Sequence, residues 1–347
     1  MSVRRVFINT ALILGLLLAT YLLYKVFSRY SLGEIMLSLG AISASRLILA
    51  VGFCALSYLC LSGFDWMALR YAGKPLSYPK AALASFTSLS IGHNLGVAAL
   101  SSGAVRYRYY ARWGLNAEEV AKVILFCGVT VGMGLSTLAG IALLSNPRNA
   151  SKLLHVGADA LFWLGLLCLA FPVFYVVLAG TLRAPLHVWK WRFEMPDLKL
   201  AIGQIIIGTL NFICVAACLH QVLTDSLGSS FVQTATAYVL ANIAVLVTHV
   251  PGGLGVLEAT VSHVLPGAAS IGALVAFRVI YFLLPLLIGL TVFAASELVL
   301  RAPRRSLKGA RSKAVPNADA AFVMANMDAG DRQARFPKTG VYHRDGC

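Results

Sequence analysis

Charge is what this chain has least of. Asp, Glu, Lys and Arg make up 12% of its 347 residues, against about 25% in a water-soluble domain. Catalytic signatures are missing too: there is no Walker A loop, no G-x-S-x-G elbow and no H-E-x-x-H pair. The seven cysteines lack metal-ligand spacing. Cys54, Cys60, Cys127, Cys168, Cys214 and Cys218 fall within apolar stretches, and Cys347 is terminal. Cys214 and Cys218 share a helix face, as two packed small residues would. These absences argue against a nucleotide-driven pump, a serine hydrolase and a zinc enzyme. They imply no cofactor and no metal, and the expectation is a protein that is not an enzyme.

What the chain has instead is hydrophobic length. Apolar residues make up 59% of the sequence, and the mean hydropathy is +0.77. A bilayer core about 30 Å thick is crossed by about 20 apolar residues in a helix. Residues 6–27, 47–69, 120–144, 158–182, 200–223, 231–250 and 271–300 reach that length, the second with Asp65 inside it. A spanning backbone must satisfy its own hydrogen bonds, and these runs are too long for barrel strands. The fold class expected is therefore all-α, a polytopic integral membrane helical bundle. Arg4 and Arg5 precede the first run as in a signal peptide. That run continues past Tyr24 without a small-residue cleavage site, so it reads as a retained span.

The net charge of +15 comes from 29 Lys and Arg against 14 Asp and Glu. Most of the basic residues sit in short connections and in the tail, the pattern the positive-inside rule produces. Anionic lipid headgroups are thus favoured over nucleic acid as partner. Basic connections around Arg106, across residues 183–199 and beyond Arg301 would all be cytoplasmic. About eight crossings with both termini inside meet that condition. Residues 1–300 form the transmembrane domain. Residues 301–347, with Arg304, Arg305, Lys308, Arg311 and Lys313 at their start, read as a basic, disordered cytoplasmic tail. Residues 32–42 are mildly amphipathic and suit the interface.

Two apolar runs are interrupted. Residues 80–100 carry Ser85, Thr87, Ser88, Ser90, Gly92, His93, Asn94 and Gly96. That density suits a broken or re-entrant segment buried in protein, not a lipid-facing helix. The second break, Thr248-His249-Val250-Pro251-Gly252-Gly253-Leu254-Gly255, precedes a short apolar piece with Glu258 and His263. Each break holds a histidine and is followed by arginine: Arg106 and Arg108 in one half, Arg278 in the other. An internal two-fold repeat is one reading of this likeness, and chance similarity of Gly-rich helices is the other. Paired interrupted segments are a pointer to a transport path.

Ionisable groups in apolar spans are costly and face a cavity or a partner. Asp65 and Glu297 lie near span ends, where reaching the interface is the simpler reading. Glu258 and Arg278 lie deeper and can pair with each other, structurally or functionally. His93 and Asn94 beside glycines can meet an anion or merely satisfy a helix break. Arg106 and Arg108, set among Tyr107, Tyr109 and Tyr110, suit a lipid phosphate. A plain headgroup anchor is the alternative. Asn116 ahead of Glu118 and Glu119 reads as a helix N-cap.

The runs Ser90-Ile91-Gly92-His93-Asn94-Leu95-Gly96, Ser101-Ser102-Gly103-Ala104-Val105-Arg106-Tyr107-Arg108-Tyr109-Tyr110 and Thr248-His249-Val250-Pro251-Gly252-Gly253-Leu254-Gly255-Val256-Leu257-Glu258 carry a resemblance. They resemble the membrane domain of the lysylphosphatidylglycerol synthase/flippase family, also called multiple peptide resistance factors. The resemblance covers roughly residues 5–300. It implies a stand-alone flippase-like domain, because residues 301–347 are too few for the family's aminoacyltransferase domain. By position it carries over His93, Asn94, Arg106, Arg108, His249, Pro251, Gly252, Gly253 and Glu258. It implies translocation or binding of a phospholipid, with aminoacylated phosphatidylglycerol a candidate, in a bacterial inner membrane. A separate lipid-modifying enzyme is a further candidate partner. A gradient-driven solute or ion transporter and a non-transporting lipid-binding scaffold are the alternatives.

Overall fold

The computed structural model describes residues 42–94, 98–145, 156–181, 195–223, 230–265 and 271–301. It also describes two three-residue strands and residues 33, 36, 40, 147 and 151. The expected first span, the interfacial stretch and the tail fall largely outside the described residues. The chain divides into two compact units, Met1–Ala294 and Ala295–Cys347. Of the second unit, the end of the last helix is described.

Among the described residues ten α-helices follow one another: α1 (Ala44–Tyr71), α2 (Tyr78–Gly92), α3 (Ala98–Arg112), α4 (Ala117–Ser145), α5 (Ala158–Thr181), α6 (Leu198–Leu223), α7 (Phe231–Thr248), α8 (Val256–Val264), α9 (Ile271–Arg278) and α10 (Leu284–Arg301). A π-helical turn, Val279–Leu283, joins α9 to α10. The all-α expectation needs one amendment. β1 (Leu186–Val188) and β2 (Trp191–Phe193) pair antiparallel in the basic connection.

Six helices among the described residues are long and apolar enough to cross a membrane: α1, α4, α5, α6, α7 and the α9–α10 run. The expected count of about eight included residues 6–27, which are outside the description. It also included one of the segments after His249, of which α8 is nine residues long. The segment at 80–100, expected to dip and return without crossing, forms parts of two 15-residue helices, α2 and α3, on either side of the first break. At 1.5 Å per residue each is about 22 Å long, short of the hydrocarbon thickness. Arg106, expected in a connection at headgroup level, lies inside α3.

Local chemistry sets the ends. Asn116 and Glu119 form a reciprocal cap at the start of α4. The Glu119 N–H donates to Asn116 Oδ1 at 2.9 Å, and the Asn116 N–H donates to Glu119 Oε2 at 2.8 Å. Ser230 and Gln233 do the same for α7. Pro79 opens α2, where its missing N–H costs nothing.

The core forms where α1 packs along α6 and α4 packs on both α5 and α6. With lipid outside, close backbone approach does much of what hydrophobic burial does in water. A Cβ added at Gly134 on α4 would lie 2.2 Å from the Gly208 carbonyl carbon on α6. Gly134→Ala is therefore expected to push the helices apart at a cost of about 1–3 kcal/mol. Thermal unfolding in detergent reads this directly, and an unchanged midpoint would refute the close crossing. Gln204, buried on α6, tightens the same seam. Its Nε2 donates to Thr130 Oγ1 at 2.9 Å and to the Phe126 carbonyl at 3.2 Å, while its Oε1 accepts from Tyr175 on α5 at 2.6 Å. By contrast α5 buries only Leu161, Gly165 and Pro172. It turns Trp163, Leu167 and Phe174 outward, a surface suited to lipid.

The order of elements recurs. A long helix, a second helix, a Gly-rich break with histidine, a further helix and another long helix occur as α1–α2–α3–α4 and again as α6–α7–α8–α9/α10. An internal repeat would produce that order.

Candidate functional site

The first break follows α2. Its last turns are rich in hydroxyls that bond back to carbonyls three or four residues earlier: Thr87 to Leu83, Ser88 to Ser85, and Ser90 to Thr87. This keeps small polar residues compatible with an apolar interior. Ser85 instead donates across to the Leu61 carbonyl on α1 at 2.9 Å. At the break, Asn94 is buried. Its amide donates to the Ser90 carbonyl at 2.9 Å and to the Phe282 carbonyl of the π turn at 3.4 Å.

The second break follows α7. His249 has φ 53°, and Gly252, Gly253 and Gly255 have φ 62°, 61° and 86°. Three of these four left-handed positions are filled by glycine, which carries no Cβ penalty there. Arg278, at the end of α9, closes the loop. Its guanidinium donates to the carbonyls of Gly252 and Gly253, the latter at 2.7 Å, and to both carboxylate oxygens of Glu258. The Gly255 N–H adds a bond to Glu258 Oε2 at 2.9 Å. The expected possibility that Glu258 and Arg278 pair is thus realised, and the pair also holds the break's own backbone.

The two breaks meet. A Cβ at Gly252 would lie 3.5 Å from the Asn94 carbonyl oxygen. On the same side the His93 ring stacks on Tyr281, centroids 6.5 Å apart at 17°. Tyr58 of α1 lies 6.2 Å from His93 and 5.9 Å from Tyr281 by ring centroids. The Tyr281 hydroxyl is 3.0 Å from Ser57 Oγ, and Ser57 donates to Asn211 Oδ1 at 2.7 Å. Tyr58 Oη and His93 Nδ1 are both buried and have no hydrogen-bond partner among the described residues.

A second ion pair lies along α3. Arg106 is 3% exposed and Asp65 is fully buried. Arg106 Nε and Nη2 each donate to one Asp65 oxygen at 2.8 Å, and Nη1 donates to Ser102 Oγ at 3.0 Å. The Tyr110 hydroxyl donates to Asp65 Oδ1 at 2.7 Å. This corrects two expectations. Asp65 does not reach an interface, because α3 covers it. Arg106 does not present its fork to a headgroup, because Asp65 takes it bidentately.

The remaining expected residues fall elsewhere. Arg108 is half-buried, its guanidinium 5.9 Å from the Phe293 ring centre. His249 is exposed, with Nδ1 3.1 Å from the Val247 carbonyl. The structure therefore unites His93, Asn94, Gly252, Gly253, Glu258 and Arg278. His249 shapes the second break through its backbone, and its side chain stays outside. Sequence reading missed Tyr58, Ser57 and Tyr281. Polar-tipped residues one helical step apart on an apolar span were the signal for the first two.

Comparison with known proteins agrees with this architecture. Residues 12–289 match the family described as the lysylphosphatidylglycerol synthase TM region. An uncharacterised protein of Synechocystis sp., slr0712, is 31% identical over 289 residues, covering 82% of this chain and 90% of its own. The inner membrane protein YbhN of Escherichia coli is 28% identical over 258 residues, covering 72% of this chain and 80% of its own. The chain belongs to the lysylphosphatidylglycerol synthase TM-region family and is a multi-pass membrane protein.

Proposed function

We propose that this member of the family translocates a phospholipid between leaflets, its headgroup passing where the two helix breaks meet. The contact of Asn94 with Gly252 carries the reading. Two interrupted helices there place polar backbone and side chains together inside an otherwise apolar bundle. Phosphatidylglycerol, or its aminoacylated form, suits a site with both guanidinium and carboxylate groups. In the resting arrangement those groups face each other. Arg106 and Glu258 are held by Asp65 and Arg278 in this arrangement, so neither is an open site, and Arg108 stands beside the path. A bacterial inner membrane is the location this reading implies, as printed for the E. coli relative.

The test is lipid exchange in proteoliposomes carrying fluorescent phosphatidylglycerol in a single leaflet. The protein is expected to raise the exchanged fraction well above protein-free vesicles. Asn94→Ala, which unties the first break from the π turn, is expected to slow exchange several-fold. Solute uptake with no lipid exchange would replace the reading with a solute transporter. Lipid binding without either flux would leave a scaffold.

A further inference from the structure

Resting on that reading, we infer that the protein binds an anionic phosphodiester headgroup together with one proton, which is held by His93 at the first helix break. The lipid and the proton would cross as a neutral unit.

The inference starts from charge. Among the described residues the buried arginines are Arg106 and Arg278, and each already faces a carboxylate, Asp65 or Glu258. The pairs are hydrogen-bonded on both sides, so neither guanidinium carries unspent charge. A phosphodiester brings one negative charge into this interior. An unmatched charge inside an apolar helical bundle is costly. Drawing an arginine away from its carboxylate moves the problem to the carboxylate. A group that becomes cationic only when the anion arrives avoids both costs.

His93 is placed to be that group. Histidine gains charge within the ordinary pH range, and its protonated ring donates from both nitrogens. Its Nδ1 is buried and unpartnered, and so is the Tyr58 hydroxyl on the adjacent ring. An unmet buried polar atom is destabilising, and here two such groups lie on neighbouring rings. A phosphodiester oxygen accepts from both a Tyr58 O–H and a His93⁺ N–H. His93 precedes Asn94, where the breaks touch, and Tyr58 lies against the His93 ring.

The surroundings of His93 fit a proton that comes and goes. From α1 it faces Tyr58, with Cys54 one turn earlier and Asp65 further along. From α3 the Arg106 charge reaches it, opposed by the Asp65 carboxylate bound to that guanidinium. From the π turn it faces Tyr281. Across the second break stand Arg278 and Glu258, mutually matched. No carboxylate is bonded to the ring among the described residues, so nothing fixes the imidazolium in the absence of an anion. The balance is simple. The headgroup enters with its single negative charge, the imidazole takes one proton from water, and both are released together.

The experiment measures binding of dioleoylphosphatidylglycerol to the full chain in detergent between about pH 5 and pH 8, the range in which histidine changes charge. The phosphodiester keeps its charge throughout. Affinity is expected to fall about tenfold per pH unit on the alkaline side, the slope for one linked proton. His93→Gln is expected to bind weakly with no slope. Tyr58→Phe, which removes only the hydroxyl, is expected to bind more weakly at every pH and keep the slope. The wild-type slope stands without either variant, should one of them not fold. Binding with a flat profile in the wild type overturns the proton and leaves the lipid reading intact. No binding at any pH overturns both. Glycerophosphoglycerol binding as tightly as the lipid, with the same slope, would keep the proton and overturn the lipid as its companion.

Discussion

Asp65→Ala is expected to cost about 3–5 kcal/mol of stability, because it leaves the Arg106 guanidinium buried without a counter-charge. Arg106→Met is expected to cost a similar amount by stranding the carboxylate. Asp65 accepts both guanidinium bonds and the Tyr110 hydroxyl, so its loss also strips Tyr110 of that bond. The double variant Asp65→Leu, Arg106→Met removes both charges and is expected to recover most of the loss. Chemical denaturation in detergent decides the matter: single variants within about 1 kcal/mol of the parent would refute the buried pair as a structural tie between α1 and α3. Lipid exchange by the double variant then separates two roles. A stable double variant that no longer exchanges lipid means that the pair must open and reclose during transport. Undiminished exchange means that it is a fixed clamp.

Arg278→Lys is expected to be almost as damaging, although it keeps the charge. Arg278 addresses four acceptors at once, the carbonyls of Gly252 and Gly253 and both oxygens of Glu258. Only a planar fork reaches them together, whereas an ammonium on a flexible stem satisfies a subset. The carbonyls freed in a left-handed loop then lack donors, at about 1–3 kcal/mol. The expected result is a second break that opens. Backbone amides at 250–255 should exchange hydrogen at least tenfold faster than in the parent, with lipid exchange reduced in parallel. Protection equal to the parent would show that the fork is dispensable and the charge alone suffices.

Much of this architecture is legible before any coordinates. Runs of apolar residues give the long helices, and Asn116 with Glu119 gives the start of α4. The clustering of Gly92, His93 and Asn94, and of Pro251 to Gly255, locates both breaks. What stays hidden is partnership. Arg106 reads as a headgroup anchor because its tyrosine neighbours suit an interface. The carboxylate that captures it is forty-one residues earlier on another helix. Helical periodicity says which face a residue occupies, not which helix that face meets. Asp65 gave the one usable warning: a carboxylate inside an apolar span demands a cation, and proximity to the span's end concealed the demand. The π turn is equally invisible, since Val279 to Leu283, which packs against α1, is an ordinary apolar stretch.

The matched pairs have a consequence for how the protein feels its membrane. A membrane potential acts on a lone buried charge with about 2.3 kcal/mol per 100 mV. It acts on a closed pair of opposite charges only through a short dipole. While closed, Asp65–Arg106 and Glu258–Arg278 therefore contribute almost no gating charge. A cell whose voltage collapses or spikes leaves the closed pairs as they were.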